Sequence, residues 1–520
     1  MDPRNLLKII NRLSKEAKRS PRLFRFQSNS QPTVSKSLDM KTLEDIPGPN
    51  PLYNLPYIGI MLLSQSQGGL KNFEFHKFAA QMQKQYGDIV KLRIKRKWGI
   101  FVFHPDIAKE VLEKHTKLPV TSGVEVYKVY SEHKKLYPAL GNLQGEDWAK
   151  LRKPTQEQML RPAAVSEYVS ILSEVADDFV RKHTNGGLIE DFKSEITNYV
   201  TECTGMLCFN KRLGCIEGAS VLDNNHLNDI FEACDQDLKR LGPSFYKYVS
   251  TPLYRKFERA ADQLFGVTNT EIQGAIDKLK DAEEEGRLEE YIQGPNLLYA
   301  LLTHPKMSPE MVKSVLLDLF LAGVESTSNV LSFLWFELAR NTDKQQKLHE
   351  EILSVCGNNG VTKESLTRMP YLKACVKEVM RLYPPTTPGV IRRLEEDSFI
   401  GGYQIPASTE IFVFLQHICG DPRFFNHPEE FLPERFLRDE DPKIGDIRNL
   451  YPYATLPFGF GTRSCIGQRF AETMMHTITA KFFRHLEISL PSGARGKLKS
   501  RYRLFLTPAQ RVPIIIHPRL

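Results

Sequence analysis

The sequence predicts a mainly α-helical protein with small β-sheets, and three stretches carry that prediction. Residues 165–290 follow a helical pattern. A long helix is expected from residue 308 to about residue 341, roughly 30 residues or about 50 Å at 1.5 Å per residue. Residues 89–94 and 96–104 are typical of a short β-hairpin. No Pro/Gly/Ser-rich linker and no internal repeat interrupts the sequence, so one large domain is expected.

Capping residues and prolines predict where the helices begin and end. Ser308 can cap the long helix, Pro309 suits its first position, and Glu310 is an early acidic residue that complements its positive end. In the preceding helical stretch, breaks are expected at Gly242-Pro243 and Thr251-Pro252. The long helix is therefore predicted to be uninterrupted, whereas the stretch before it is not.

The first 37 residues differ in charge from the rest of the chain. They carry nine Lys/Arg against Asp2 and Glu16, a net of +7 out of the chain's formal +8. The remainder is close to neutral, which does not indicate a nucleic-acid surface. Apolar residues interleave with the cations at helical spacing, so residues 1–37 are predicted to be a mitochondrial transit peptide and residues 38–520 the folded domain. A disordered basic tail is the alternative.

Cysteine spacing and hydropathy constrain the class of protein further. The eight cysteines are scattered, without C-x-x-C pairs or zinc spacing, which favours a reducing compartment and no disulfide framework. No run approaches the ~18–20 apolar residues that span a bilayer. The best candidate, from Tyr57 to Leu63, is far too short.

One cysteine lies in a glycine-rich loop that is followed by a predicted helix. The loop reads Phe458-x-x-Gly461-x-Arg463-x-Cys465-x-Gly467. A cysteine just before a helix N-terminus is placed where backbone N–H groups favour a thiolate. Glycines let a flat group approach the backbone, and Arg463 would face its anionic edge. These features suit a haem iron held by cysteine; a buried structural cysteine is the alternative.

The middle of the long helix contains polar residues within an otherwise apolar segment. Glu325, Ser326 and Thr327 follow the small residues Ala322 and Gly323. A carboxylate and hydroxyls in such a place are costly unless they have a partner or a task, and the small residues leave room for a bound molecule. The alternative is that the hydroxyls bond back to the carbonyl four residues earlier.

Further charged residues occur at helical spacing. Trp148 and Arg152 are four residues apart, and Glu378 and Arg381 are three apart, so the members of each pair share a helix face. The usual explanation for such spacing is that the charged residues lie on the solvent-exposed side of a helix. Arg435 lies in the later run Pro-Glu-Arg-Phe.

These motifs, in this order, resemble those of the cytochrome P-450 family, and the resemblance covers essentially all of residues 38–520. The cysteine loop matches the haem-binding signature of the family at every fixed position. The implied fold is mainly α-helical with small β-sheets, the cytochrome P-450 fold. Haem b is implied to lie between the long helix and the helix that follows Cys465.

The resemblance also implies a role for each motif residue. Haem is implied to contact Trp148, Arg152, Arg392, Phe458, Arg463 and Cys465, the last as the iron ligand. Proton delivery is implied for Glu325, Ser326 and Thr327, and a structural role for Glu378, Arg381 and Arg435. Ser326 departs from the family pattern, which has threonine there; it keeps the hydroxyl but loses the methyl that fixes the rotamer, so the efficiency of coupling is in question.

Three cations point to the mitochondrial class of the family. Lys373 and Lys377 stand where mitochondrial members dock an acidic [2Fe–2S] ferredoxin, which an NADPH ferredoxin reductase reduces, and Arg469 fits the same face. Where this chain has Gln468-Arg469, mitochondrial members commonly have two arginines. The implied location is the matrix side of the inner membrane, with peripheral membrane contact. The aromatic and basic residues 245–257 suit such contact, and plain core packing explains them equally well.

The implied reaction inserts one oxygen atom of O2 into a C–H bond of a sterol, a secosteroid or a related lipophilic substrate. A haem-thiolate isomerase or dehydratase that acts on a peroxide is the second hypothesis, and it gives no use to Lys373 and Lys377. A non-catalytic haem sensor is the third. The largely intact acid–hydroxyl segment favours the monooxygenase over both.

Overall fold

The computed structural model describes a defined set of residues, all within the unit Lys41–Leu520. They are 41–50, 53, 55, 59, 62, 74–94, 97–114, 118–121, 123–160, 162–218, 224–240, 244–287, 289–290, 296–437, 451–494 and 496–519. The predicted transit peptide, residues 1–37, lies outside them. So do most of the run Tyr57–Leu63 and the predicted break at Gly242-Pro243.

Helices account for most of the described residues. In chain order they are α1 Phe75–Tyr86, α2 Pro105–Glu113, α3 Glu125–His133, α4 Gly145–Met159, α5 Pro162–Lys182, α6 Phe192–Phe209, α7 Asn224–Leu238, α8 Pro252–Glu284, α9 Leu297–Leu302, α10 Pro309–Arg340, α11 Thr342–Cys356, α12 Lys363–Thr367, α13 Pro370–Leu382, α14 Leu415–Cys419 and α15 Gln468–His485.

The strands are short and form small separate sheets, as predicted. They are β1 Ile89–Ile94, β2 Lys97–Val102, β3 Gly187–Ile189, β4 Gly389–Arg393, β5 Ser398–Ile400, β6 Tyr403–Ile405, β7 Glu410–Phe414, β8 Leu486–Ser489, β9 Ser500–Tyr502, β10 Leu506–Pro508 and β11 Ile514–Pro518. The largest sheet has the order β1-β2-β7-β4. Its first two strands pair antiparallel, with Ile89 opposite Val102, which confirms the predicted hairpin.

The long helix α10 is the core of the molecule. Ser308 Oγ accepts a hydrogen bond from the Met311 N–H, and Pro309 occupies the first turn, so the predicted cap is confirmed. By length and composition this helix could cross a membrane, but 78% of its most apolar window is buried inside the protein, as expected of a core helix. Trp335 near its end packs against Phe482 of α15, with ring centroids 4.3 Å apart.

The helical stretch before α10 is more interrupted than predicted. The break at Thr251-Pro252 is confirmed, because Thr251 caps α8 and Pro252 opens it. Two further interruptions were not predicted, one between α5 and α6 and one after Asn210, which ends α6 in the left-handed region (φ 51°). The first contains β3, which pairs with β11 at the far end of the chain. Pairing over such a separation leaves no local pattern, so the sequence prediction of only two breaks was wrong.

A buried ion cluster ties α13 to the segment that precedes the cysteine loop. The Glu378 carboxylate accepts two hydrogen bonds from Arg381, at 2.7 and 2.8 Å, and one from Arg435 Nε at 3.2 Å. All three side chains are fully buried. Arg381 also donates to the carbonyls of Cys419 and Pro428, so the guanidinium joins the end of α14 and a later loop to α13.

Candidate active site

Cys465 lies in the loop that precedes α15. It is the one exposed cysteine of the eight; the other seven are buried. Its backbone N–H donates to the Phe458 carbonyl at 2.8 Å, which closes the loop. Gly459 and Gly461 both have φ near +73°, a conformation that suits glycine and lets the loop turn twice within a few residues.

The surroundings of Cys465 act in opposite directions on its thiol. Burial raises the pKa of Cys465, whereas the N–H groups of Gly467 and Gln468 and the charge of Arg152 favour the thiolate. The N–H groups of Gly467 and Gln468 thus act on the sulfur in the direction that the sequence predicted, and desolvation opposes them. A metal cation at Sγ would supply the missing stabilisation, and this donor set therefore fits a haem iron.

Arg463 is held beside Trp148 of α4. Its guanidinium stacks over the indole ring, 4.0 Å from the centroid. It donates to the carbonyls of Pro119 and Leu143, each at 2.9 Å, and to Gln144 Oε1 at 3.1 Å. The cysteine loop is thus anchored to the start of α4.

Two other arginines converge on the same loop. Arg152 of α4 donates to the Ser464 carbonyl at 2.7 Å, and Arg392 of β4 donates to the Phe460 carbonyl at 3.0 Å. These two and Arg463 come from three distant parts of the sequence. The structure therefore brings together the arginines that the sequence nominated separately.

The three guanidiniums repel one another. The pKa of Arg463 is lowered to about 10, first by burial and then by Arg392 and Arg152. Across the described ranges, none of the three forms an ion pair with a carboxylate. Three clustered, partly buried cations without a counter-charge fit a ligand that carries carboxylates, such as the two propionates of haem.

The acid and hydroxyls of α10 do not form one contiguous chain. Glu325 is buried, and its Oε1 lies 3.5 Å from Lys193 Nζ of α6 and 3.1 Å from Asn329 Nδ2. Lys193 also donates to Thr507 Oγ1 of β10 at 2.8 Å. Burial lowers the pKa of Lys193, and Glu325 opposes that shift.

Ser326 and Thr327 project in other directions from the same helix. The Ser326 hydroxyl donates to the Ala322 carbonyl at 2.6 Å, which is the back-bonded geometry that the sequence left open. Thr327 is buried. Residues one apart on a helix are turned by about 100°, so Glu325 and Ser326 face different neighbours.

The predicted docking cations lie on α13 and α15, around a carboxylate that the sequence did not nominate. Burial raises the pKa of Glu472, while its hydrogen bond from Gln468 and the charges of Lys377, Arg469 and Lys373 lower it. The two lysines also contribute, after burial, to lowering the pKa of His476 to about 3. The structure thus groups Lys373, Lys377 and Arg469 on one face of the molecule.

Sequence reasoning missed Lys193, Asn329 and Thr507 near the acid of α10. Asn329 follows Glu325 by four residues, so helical spacing could have identified it. Lys193 and Thr507 have no such relation, because they are 132 and 182 positions away from Glu325 in the sequence.

The fold and the cysteine loop agree with the comparison against protein families. The chain belongs to the cytochrome P450 family, whose model matches residues 49–515. It is therefore a haem-thiolate monooxygenase, an oxidoreductase whose cofactor is haem b, held through a cysteine thiolate.

Several relatives resemble it along almost their whole length. The chain is 29% identical to the probable cytochrome P450 12d1 distal, mitochondrial, of Drosophila melanogaster, over 95% of each chain. It is 26% identical to the mitochondrial sterol 26-hydroxylase of Rattus norvegicus, over 91% of this chain and 89% of that one. It is 28% identical to cytochrome P450 10 of Lymnaea stagnalis, over 92% and 87%.

Proposed function

We propose that this protein is a mitochondrial hydroxylase of a sterol, secosteroid or related lipophilic substrate, supplied with electrons by an acidic [2Fe–2S] ferredoxin. The observation that carries the proposal is the cation group on α13 and on α15, the helix that begins after Cys465. Relatives that are named mitochondrial, one of them a sterol hydroxylase, support the location and the substrate class.

Cys465 is the residue proposed to bind the iron. It is the one exposed cysteine of the eight, and a metal cation would stabilise its thiolate. Arg152, Arg392 and Arg463 would bind the propionates, with Trp148 stacked on the last of them. Phe458 accepts the Cys465 N–H and would hold the sulfur in place. Haem held there would supply the chemistry that inserts one atom of O2 into a C–H bond, with the other leaving as water after uptake of two electrons from the ferredoxin and two protons.

Glu325, Ser326 and Thr327 are proposed to deliver protons. Glu325 has a proton source beside it, since Lys193 Nζ lies 3.5 Å away and its pKa is lowered by burial. The oxygen of the Ser326 hydroxyl can accept a proton while its own hydrogen bonds to the helix carbonyl.

The electron donor is proposed to bind at Lys373, Lys377 and Arg469. A group of cations next to the haem site would steer an acidic protein toward it and orient it. Glu472, in the middle of the group, would weaken that attraction, because its carboxylate partly neutralises the cations.

Peripheral contact with the inner membrane on its matrix side completes the proposal. Phe245, Tyr248 and Val249 are large apolar residues that are 62%, 87% and 68% exposed. Arg255 adds positive charge to the same stretch, whereas Lys247 forms an ion pair with Glu125. Exposed aromatic and basic residues suit the interface of an anionic membrane. The basic residues 1–37 would direct the chain to the organelle.

A reconstituted assay tests the proposal. Purified holoenzyme is mixed with NADPH, ferredoxin reductase, an acidic ferredoxin and a panel of sterols, and O2 consumption and product are measured. We expect both only when ferredoxin is present. Conversion of a peroxide substrate without ferredoxin would indicate the isomerase instead. A change in the haem spectrum on ligand binding, without O2 consumption, would indicate a sensor.

A further inference from the structure

Two of the three clustered arginines donate a hydrogen bond to the side-chain oxygen of a glutamine. Arg463 Nη2 lies 3.1 Å from Oε1 of Gln144, the residue before α4. Arg152 Nε lies 3.2 Å from Oε1 of Gln156, in the last turn of that helix. Both acceptors are therefore neutral amides, and they lie at opposite ends of α4.

Gln144 joins three segments of the chain through one oxygen atom. Besides the Arg463 guanidinium, its Oε1 accepts the backbone N–H of Thr121 at 3.0 Å. Its Nε2 lies 3.5 Å from the Asn142 carbonyl oxygen. An amide oxygen has two lone pairs, and two N–H groups use them here. The side chain thus fixes the guanidinium relative to both α4 and residues 118–121.

The contacts of Arg463 and Arg152 leave part of each guanidinium available. Both arginines donate through Nε and Nη2, to carbonyl oxygens and to the two glutamines. Among the residues that the structure describes, none accepts a hydrogen bond from Nη1 of either arginine. A guanidinium held along two of its nitrogens can still offer N–H groups to a carboxylate ligand.

Buried arginines elsewhere in this chain have a carboxylate as partner. Arg381 and Arg435 share the carboxylate of Glu378. A carboxylate forms the stronger, charge-assisted hydrogen bond, but it also neutralises the arginine. A glutamine instead holds the arginine in place while the positive charge stays uncompensated.

We propose that Gln144 and Gln156 are positioning residues for haem, which orient Arg463 and Arg152 and leave the charges of both arginines to the propionates. The inference rests on the proposed function, because it assumes that these two arginines bind the propionates. Uncompensated positive charge near the iron also favours the ferrous state, because the ferric state carries one more positive charge. The two glutamines would thereby raise both the affinity for haem and its reduction potential.

Replacement of each glutamine by glutamate tests whether the neutral acceptor matters. Gln144→Glu keeps an acceptor for Arg463 and adds a negative charge beside it. We expect release of haem from the ferric holoenzyme to be at least about tenfold faster, because charges a few ångströms apart interact strongly near a protein surface. The midpoint potential should become more negative by about 59 mV, the one-electron equivalent of a tenfold change. Gln156→Glu should act in the same direction but less, because Gln156 is exposed to solvent.

Neither measurement depends on turnover. Transfer of haem from the holoenzyme to apomyoglobin gives the rate of release, and an equilibrium redox titration gives the midpoint potential. Should Gln144→Glu yield no holoenzyme, Gln156→Glu decides the question, because an exposed residue can be replaced without disturbing the core.

Gln144→Met separates orientation from charge. Methionine has a similar length but offers no comparable acceptor and adds no charge. Release of haem should be faster than in the wild type, because Arg463 is no longer oriented, whereas the midpoint potential should stay close to the wild-type value. In an Arg463→Met background, Gln144→Met should have no further effect on release, because the glutamine acts through that arginine.

Gln346→Glu is the matched control. Gln346 Oε1 of α11 accepts a hydrogen bond from Arg519 at 3.3 Å. The variant therefore makes the same exchange beside an arginine that is not one of the three around the cysteine loop. Release of haem and the midpoint potential should both equal those of the wild type.

The outcomes distinguish this inference from the proposed function. Wild-type release and potential in both glutamate variants overturn the inference, and so do equal shifts of potential in Gln144→Glu and Gln144→Met. Wild-type release in Arg463→Met and in Arg152→Met overturns the binding of propionates by these arginines, and the inference with it. Failure of ferredoxin or of sterols to support turnover leaves the inference standing, because neither measurement uses them.

Discussion

At the scale of single residues, Cys465 shows how two physical effects compete. The start of α15 provides N–H groups that favour a thiolate, yet burial raises the pKa of the thiol. A cation at Sγ would offset the loss of hydration that opposes the thiolate. A cysteine that acts as a catalytic nucleophile instead needs surroundings that lower the pKa of its thiol.

Replacing Cys465 tests the assignment of the iron ligand. Cys465→Ser should remove the red-shifted Soret band of the reduced carbon-monoxide complex, because a serine oxygen does not supply the thiolate's electron density. Cys356→Ala, at a buried cysteine of α11, is the matched control and should keep the band. A thiolate-type spectrum in Cys465→Ser would sink the assignment.

The hydroxyls of α10 are the second residue-level test. Replacing Ser326 and Thr327 together with alanine should preserve haem content and divert reducing equivalents to peroxide, because proton delivery is interrupted. Product formed per electron consumed is the measurement. Ser326→Thr should leave this ratio equal or better. An unchanged ratio in the double variant would exclude both hydroxyls from the relay.

At the scale of elements, α13 and α15 each have a buried side and an exposed side. Their buried faces join the core, while one exposed face gathers Lys373, Lys377 and Arg469 around Glu472. Where mitochondrial members commonly have a second arginine, Gln468 instead donates an amide to Glu472 at 3.3 Å. The face is therefore basic, and the carboxylate of Glu472 reduces its positive charge.

Charge reversal at Lys373 and Lys377 should slow ferredoxin-supported turnover. The loss should lie mostly in association, and it should shrink at high salt because the Debye length is only ~8–10 Å near physiological ionic strength. Lys278→Glu with Lys280→Glu, on the exposed side of α8, applies the same charge change elsewhere and should leave turnover intact. Glu472→Gln should act oppositely and lower the ferredoxin concentration needed. Unaltered turnover of the double reversal at limiting ferredoxin would place the partner elsewhere.

The buried cluster of Glu378, Arg381 and Arg435 joins an element to a loop, and its loss should affect stability. Arg435→Leu removes one of two guanidiniums from a fully buried carboxylate, so we expect a loss of about 3–5 kcal/mol. Urea unfolding measures it, with haem content as a second readout. Arg181→Leu, at an ion pair with Asp178 in which the arginine is largely exposed, should cost about 1 kcal/mol or less. Similar losses in both would contradict the importance of burial.

At the scale of the whole molecule, a buried histidine makes stability depend on pH. Burial lowers the pKa of His417 to about 4, and its Nε2 lies 3.1 Å from the His76 carbonyl oxygen. In the unfolded chain this histidine has a pKa near 6.5, so between pH 6.5 and 4 it binds a proton that it does not bind in the folded protein. Stability is therefore full above about pH 6.5 and falls as the pH drops toward 4, by at most about 3 kcal/mol.

The variant His417→Gln tests that dependence. Glutamine keeps an N–H donor for the His76 carbonyl but does not titrate, so the free energy of unfolding should vary less between pH 6.5 and 4. Urea unfolding at several pH values is the measurement. A slope equal to that of the wild type would show that other groups cause the dependence.

The sequence by itself determined the features that depend on near neighbours. The cap at Ser308, the hairpin of β1 and β2, the core helix α10 and the complete cysteine motif could all be predicted, because each is specified within a few residues. The P450 family and its haem followed from the same local motifs. Helical periodicity did not indicate β3, whose partner strand lies at the other end of the chain.

The tertiary structure alone decided which distant residues meet. Arg152, Arg392 and Arg463 converge on one loop from three regions, and their mutual repulsion exists only because of that convergence. Lys193 meets Glu325, and Gly141 meets Asp318, across separations of 132 and 177 residues. The sequence did not indicate the loss of hydration that raises the pKa of the Cys465 thiol, because it depends on the whole surrounding fold. Local sequence specifies where helices, strands and caps form. Which charges meet, which side chains are buried and which strands pair depend on how the chain connects those elements in space.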